Sequence, residues 1–400
     1  MGRAVFYLLS VFFLVALSSC DNFWSADDPS VDPLKDFSVT SLPRVFINTE
    51  NGAPVLDKDA KISAEMQVLE KGKDPSEVVD LTISTHGNIT VNYPKKAYNI
   101  KFEKKQPFLG MPRAKEWVLL ANWRDRTLIK NAVAYELARY TSLEWTPSGK
   151  FVDVVLNDEF IGNYYVCEKI QVKKNRLELD KGSFLLELDY YFDGDYKFKT
   201  DYYHLPVNIK YPKEPTNSQV ANIEKFMDSL EKALKPDAEE TKYLEYINEE
   251  SFADYFIVYA LVGNSELNHP KSFYVHKSPN GKLNAGPVWD FDYNTFSLQK
   301  KIIPNVEAPI FRDLLEKNSF RQTLFKRWNA YKPNIQKIYP FVDSLSKYIE
   351  KSNEMNIDLW PVTPHSGLVG DEKKPFAEAV DMLKKSIQMK ESLIDSFVVF

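Results

Sequence analysis

The chain has 400 residues, of which 44% are hydrophobic and 14% aromatic, so it is long and apolar enough to bury a sizeable core. Its net charge of -5 comes from 51 basic and 56 acidic residues without a dense basic block, and this balance excludes nucleic acid as an expected partner. Its two cysteines, Cys20 and Cys167, are too few for a disulfide framework.

The first 20 residues have the pattern of a lipoprotein signal peptide. Arg3 precedes an apolar run from Ala4 to Leu17, and small residues lead to Cys20. This run is shorter than the roughly 20 residues of a membrane-spanning helix, although an ordinary N-terminal anchor helix is the alternative. We therefore predict a signal peptide over residues 1–20 and lipidation of Cys20. The acyl chains would then anchor the mature protein to a membrane of the cell envelope, outside the cytoplasm.

A tether and a β-rich region are predicted next. Residues 21–42 are polar, acidic and interrupted by prolines, which is typical of a flexible linker. A folded domain is expected over 43–400, and it starts with β-branched runs joined at Asn51-Gly52, a strong hairpin signal. Further alternating segments indicate sheet, and a second hairpin is expected at Asn157-Asp158.

Helical patterns appear in two places. Residues 125–141 have helical apolar spacing, with Asp125 placed to cap the start of the helix. From residue 211 onward most segments have this spacing. A β-rich region over 43–210 and a helical region over 211–400 predict an α+β chain with two lobes.

The acidic segment GPVWDFD is the most informative motif. In an extended strand, Asp290 and Asp292 would point to one face, where paired carboxylates suit a hard divalent ion. A turn-capping pair is the alternative, and the spacing alone favours it slightly. A hairpin across Asn280-Gly281 would bring Glu266 or Asn268 close to the two aspartates.

Candidate cations for phosphate binding come from strands. Lys101 and Lys169 lie within otherwise apolar strands, although a strand has two faces and either lysine can point outward. Cys167 is expected to be a buried hydrophobe and His269 a surface histidine. The sequence contains no glycine-rich phosphate loop, no G-x-S-x-G and no H-E-x-x-H. Serine hydrolases and zinc proteases are therefore excluded.

Several segments together resemble the CotH kinase-like family of atypical, spore-coat-type protein kinases. In chain order they are KKAYNIKFEKK, LGMPRAKEWVLLANWRDRTLIKNAVAYELAR, FVDVVLNDEFIGNYYVCEKIQVKKNRLEL, SFLLELD and HPKSFYVHKSPNGKLNAGPVWDFD. The resemblance runs from about Pro43 to Phe296. L-L-A-N-W-x-D and G-P-V-W-D-F-D contribute most to it.

The resemblance implies a divergent protein-kinase-like fold of two lobes and ATP-dependent transfer of phosphate to Ser or Thr of a protein substrate or cell-envelope protein. It implies Mg or Mn at the acidic motif, held by Asp290 with Asp292 beside it. Glu266 would be catalytic together with Asp290, and it stands where the family usually has an aspartate. The side chains expected to contact the ATP cofactor are Lys101, Lys169 and Asn264.

Two departures from the family pattern support a second hypothesis. Glu266 is one methylene longer than aspartate, and Ser84 to Asn88 replace a segment that often carries an arginine. A noncatalytic surface or assembly protein that binds a protein or glycan partner is the alternative. The aromatic candidates for such binding are Tyr190, Tyr191, Phe192, Tyr196, Tyr202 and Tyr203.

Overall fold

A computed structural model describes residues 40–299, 306–361 and 369–398. The predicted signal peptide over residues 1–20, Cys20 and most of the predicted tether lie outside the described residues. Within them, no helix has the length and apolar character needed to cross a membrane.

Seven strands near the start of the domain form a closed barrel. They are β1 (Arg44–Thr49), β2 (Ile62–Leu69), β3 (Val79–His86), β4 (Ala97–Phe108), β5 (Met111–Leu120), β6 (Gly149–Leu156) and β7 (Glu159–Glu168), in the order β1-β2-β3-β4-β5-β7-β6. All neighbouring pairs are antiparallel except β1 and β6, which are parallel. An odd number of strands requires such a pair, because strictly alternating directions cannot close a ring of seven. Apolar side chains such as Ile83, Ile100 and Trp117 fill the barrel interior.

A second sheet has five strands in the order β12-β11-β8-β10-β9. These strands are β8 (Phe184–Leu188), β9 (Lys197–Lys199), β10 (Pro206–Tyr211), β11 (Phe273–Lys277) and β12 (Leu283–Ala285). The helices are α1 (Lys130–Arg139), α2 (Asn217–Leu234), α3 (Glu249–Val262), α4 (Pro309–Leu315), α5 (Asn318–Tyr331), α6 (Ile338–Leu359) and α7 (Phe376–Phe397). Helix α3 is apolar on nearly every face and packs against α1, α5 and α7, so it forms the centre of the helical part.

The α+β class, the β-rich first part and the helical last part are confirmed. The hairpin at Asn157-Asp158 is also confirmed, since both residues have positive φ and β6 pairs directly with β7. At Asn51-Gly52 the chain instead forms a short 3-10 turn, and β2 begins only at Ile62, so the connection is longer than predicted.

The expectation that Asp290 and Asp292 lie on an extended strand is wrong. Strand β12 ends at Ala285, two residues before Pro287, which has no N–H to continue the ladder. Asp290 itself has a φ of 66°, in the left-handed region. The two aspartates are therefore positioned by an irregular segment and not by the alternation of a strand.

A buried lysine connects the barrel to helix α6. Lys95 Nζ donates hydrogen bonds to the Ala121 carbonyl at 2.8 Å, to Asn356 Oδ1 at 2.7 Å and to the Asn163 carbonyl. Its side chain is almost fully buried, and burial lowers the pKa of Lys95 well below its ordinary value. Because Asn356 lies on α6, this lysine ties the helical part to β7 and to the residue that follows β5.

Candidate active site

The loop after helix α3 positions the first carboxylate. The helix ends at Gly263, whose φ of 70° turns the chain away from the helix axis. Asn264 Oδ1 then accepts the backbone N–H of Glu266 at 2.7 Å, and Asn264 Nδ2 donates to the Asp290 carbonyl at 3.4 Å. Asn264, which the sequence predicts as a cofactor contact, joins the Glu266 and Asp290 segments through these two amide hydrogen bonds.

The second and third carboxylates flank a buried phenylalanine. Phe291 is fully buried, with ring centroids 6.0 Å from Tyr135 and 5.2 Å from Tyr259. Its backbone N–H donates to Asn131 Oδ1 at 2.8 Å, which fixes the segment to helix α1. With Phe291 anchored in the core, Asp290 and Asp292 on either side of it keep partial exposure to solvent.

The three carboxylates influence one another electrostatically. Burial, and then the charge of Asp290, raise the pKa of Glu266 to about 7. Burial raises the pKa of Asp292 to about 7 as well, with contributions from Asp290, Asp125 and Glu266. Burial also raises the pKa of Asp290. Glu266, Asp290 and Asp292 therefore lie in one region, as the sequence predicts, and we call them the carboxylate cluster.

One lysine, which the sequence analysis missed, lies beside this cluster. Lys271 Nζ is 2.8 Å from Glu266 Oε1. Burial alone would lower the pKa of Lys271. The negative charges of Asp290 and Glu266 have the larger effect, so the pKa of Lys271 is raised. Its position in the segment HPKSF, between the Glu266 loop and β11, is the signal that could have identified it.

A fourth carboxylate borders the cluster at the end of β8. Asp189 accepts the backbone N–H of Tyr191 at 2.8 Å and that of Ser272 at 3.0 Å. Burial and the neighbouring Glu187 raise the pKa of Asp189 to about 6. Because both of its oxygens are bonded to backbone, Asp189 holds the Lys271-Ser272 segment in place.

Lys169 connects to the acidic segment through neighbouring side chains. Its Nζ lies 3.4 Å from Asn99 Oδ1, which is 3.1 Å from His86 Nδ1. The His86 ring is edge-on to Trp289, the residue before Asp290, with centroids 6.4 Å apart. Burial and then Lys169 lower the pKa of His86 to about 4, so this histidine is neutral at ordinary pH.

Further lysines surround Lys169. Burial lowers the pKa of Lys169, and the positive charges of Lys213, Lys210 and Lys173 lower it further. The carboxylate of Glu116, with Oε2 at 3.8 Å from Lys169 Nζ, raises this pKa but does not cancel the decrease. Such a group of amines near an acidic segment suits an anionic ligand.

Lys101 lies elsewhere on the barrel. Its side chain is exposed on β4 and lines an outer groove of about 780 Å³ together with Glu103 and Lys115. Within the described part of the chain, no contact joins Lys101 to the carboxylate cluster. Of the two lysines predicted from the strands, the structure therefore connects Lys169, and not Lys101, to the acidic segment.

The carboxylate cluster supplies hard oxygen donors for a divalent ion. Across residues 40–299, 306–361 and 369–398, no group of three or more His, Cys, Asp or Glu side chains forms a metal-binding set. Mg²⁺ is commonly held by one or two carboxylates, waters and substrate phosphates. The raised pKa values of Glu266 and Asp292 reflect buried like charges, which a divalent ion would offset. An ion at Asp290 and Asp292 would thus need waters and substrate phosphates as its remaining ligands.

A comparison with protein-family models gives a match over most of the chain. The family model described as CotH kinase protein matches residues 83–393, which contain the carboxylate cluster, Lys169 and Lys271. The chain belongs to the CotH kinase family. The resemblance inferred from the sequence is thereby confirmed, and CotH kinase membership implies ATP use in general. A search of curated proteins found no match for this CotH kinase family member.

Proposed function

We propose that this chain is an atypical protein kinase of the CotH type, anchored by a lipid on Cys20 and acting outside the cytoplasm. It would transfer the terminal phosphate of ATP to Ser or Thr of a cell-envelope protein, with Mg or Mn. A kinase-like arrangement of two lobes is part of the proposal, with Lys169 on the barrel side and the carboxylate cluster on the helical side. The mutual electrostatic influence of Glu266, Asp290 and Asp292 is the observation that supports it.

The proposed reaction needs a base near the acceptor hydroxyl. Glu266, with a pKa of about 7, is partly ionised at neutral pH and can accept that proton. The hydroxyl oxygen then bonds to the terminal phosphorus of ATP as the bond to the leaving ADP oxygen breaks. The proton thus moves to Glu266 and the phosphoryl group to the acceptor.

Positive charge is needed where the phosphates lie. When bound, a divalent ion held by Asp290 and Asp292 would offset the charge of the phosphates. Lys271 remains protonated because its pKa is raised, so it supplies a fixed charge beside Glu266. Lys169 would contact the phosphates from the barrel side. Asn264 would position Glu266 and Asp290 through its two amide hydrogen bonds.

Incorporation of labelled phosphate tests the proposal. The full-length protein is incubated with labelled ATP, Mg or Mn and a protein acceptor such as casein. We expect transfer by wild type and a loss of at least about a hundredfold in both Asp290→Asn and Glu266→Gln. The control is Asp237→Asn, since Asp237 is an exposed carboxylate outside the cluster. Equal activity of all four proteins would refute the assigned roles.

A noncatalytic function is the second candidate, and two observations favour it. Lys271 already neutralises Glu266, and Tyr190 and Tyr202 are 71% and 42% exposed, respectively. Such rings suit a protein or glycan surface. Thermal melting separates the two functions, because ATP with Mg at one hundred times its dissociation constant would add about 2.7 kcal/mol to the stability of a kinase. No shift would favour the binding protein.

A further inference from the structure

Arg124 is held between two aromatic rings at the edge of the carboxylate cluster. It lies in the turn between β5 and α1, and its guanidinium carbon is 4.8 Å from the ring centroid of Tyr93 and 4.4 Å from that of Tyr293. Contacts with two rings limit the conformations of the guanidinium, which reduces the conformational entropy lost when it binds a ligand.

The hydrogen bonding of the Arg124 guanidinium is incomplete in the part of the chain that the structure describes. Its Nε is buried without a hydrogen-bond partner, and in the described part of the chain no carboxylate forms an ion pair with it. Other arginines of the fold differ in this respect: Arg126 donates to the Lys374 carbonyl at 2.7 Å, and Arg327 pairs with Asp254 at 2.5 Å. A buried donor without an acceptor is unfavourable, so this arrangement suits an arginine that binds an external oxyanion.

The surroundings of Arg124 indicate which oxyanion it binds. Tyr293 directly follows Asp292 in the chain. The Arg124 guanidinium contacts the ring of Tyr293. Burial raises the pKa of the neighbouring Tyr93, and the charges of Arg124, Asp292 and Lys271 all act on it as well. A group bound by Arg124 would therefore lie beside Asp292, one of the proposed metal ligands.

We infer that Arg124 binds a phosphate group of the nucleotide as a planar donor next to the carboxylate cluster. The inference rests on the proposed function. A nucleotide phosphate is favoured over an acidic side chain of the acceptor because the proposed metal ligands Asp290 and Asp292 would hold the phosphates on this side. Arg124 is then a binding residue, held ready by Tyr93 and Tyr293.

Affinity measurements on the full-length protein test this inference. Isothermal titration calorimetry gives the dissociation constants of wild type, Arg124→Gln and Arg124→Lys. The ligands are ATP with Mg, inorganic tripolyphosphate and adenosine. We expect Arg124→Gln to weaken ATP and tripolyphosphate by about tenfold or more and to leave adenosine unchanged. Arg124→Lys should recover part of the loss, since it keeps the charge without the planar donors. Thermal melting checks that each variant is folded.

Arg113→Gln is the control, because Arg113 is exposed on β5 and donates a hydrogen bond to the Lys105 carbonyl. The inference would be overturned if wild type and Arg124→Gln bound ATP equally well, or if Arg124→Gln lost as much affinity for adenosine as for ATP. Either result would leave the kinase proposal intact. If wild type binds tripolyphosphate through Arg124 but does not bind ATP, the kinase proposal fails and the anion site stands. Binding of neither ligand by wild type would refute both.

Discussion

Lys271 Nζ lies 2.8 Å from Glu266 Oε1, yet the pKa of this glutamate is still raised to about 7. Burial and the charge of Asp290 therefore outweigh the nearby ammonium. A base with this pKa is useful near neutral pH, and Lys271 keeps it from rising further.

Replacement of Lys271 should change the pH dependence of phosphate transfer. In Lys271→Met the pKa of Glu266 should rise above about 7, because the cation that lowers it is gone. The acid limb of the pH–rate profile would then move to higher pH, with a loss of about tenfold or more at pH 7. The exposed Lys282→Met is the control. If the pH–rate profile of Lys271→Met coincided with that of wild type, Lys271 would not control the pKa of Glu266.

The stability of the protein should fall as the pH rises from 5 to 8. Glu266 and Asp292 have folded-state pKa values of about 7, above their ordinary values of 4.5 and 3.8, so the folded state binds more protons than the unfolded state in this range. Their contribution is complete below pH 4 and is lost as the pH passes 7. In urea unfolding, the double variant Glu266→Gln/Asp292→Asn should lose less stability between pH 5 and pH 8 than wild type, by about 5 kcal/mol. If the double variant and wild type lost stability equally over this pH range, the raised pKa values of Glu266 and Asp292 would be contradicted.

Divalent cations should restore stability where the cluster is ionised. At pH 8, Mg or Mn with ATP should raise the melting temperature more than at pH 5, because protonated carboxylates bind metal poorly. The increase should disappear in Asp290→Asn and persist in the exposed control Asp237→Asn. Equal increases in both variants would assign the effect to another site.

The buried lysine between barrel and α6 should be important for stability. Lys95→Met removes three hydrogen bonds and leaves the oxygens of Ala121, Asn163 and Asn356 without this donor. We expect a loss of about 2–4 kcal/mol in the free energy of unfolding, measured in urea. Lys73→Met, at an exposed surface ion pair, should change it by less than about 0.5 kcal/mol. Comparable losses in both variants would refute this role for Lys95.

Lipidation should depend on the first cysteine alone. The Cys20→Ser variant should no longer incorporate labelled fatty acid. In detergent phase separation it should partition into the aqueous phase, whereas wild type should partition into the detergent phase. Cys167 is buried, and burial raises the pKa of its thiol, so Cys167→Ala should keep the label. Labelling of Cys20→Ser would contradict the lipoprotein prediction.

Local patterns were sufficient to predict much of the fold and the carboxylate cluster. The turn residues at Asn157-Asp158 determine a hairpin by their own conformation, and the G-P-V-W-D-F-D motif identifies Asp290 and Asp292 as candidate ligands. The barrel could not be predicted in this way. Its closure depends on the pairing of β1 with β6, which no local pattern specifies.

Other features depend on contacts between distant segments. The carboxylates are positioned by the left-handed backbone of Asp290 and by the amide of Asn264, neither of which follows from strand alternation. Arg124 meets Tyr93 and Tyr293 only in the folded chain, and in the sequence it is an arginine of a polar turn. Side-chain partners of this kind require coordinates.

The parallel pairing of β1 with β6 also constrains the order of assembly. Arg44 is matched with Asp153, so the second neighbour of β1 comes from a segment about 110 residues further along the chain. Until then β1 can pair only with β2, and its other edge stays open to intermolecular pairing. A chaperone that shields this edge until β6 has paired with β1 would therefore improve the yield of native protein.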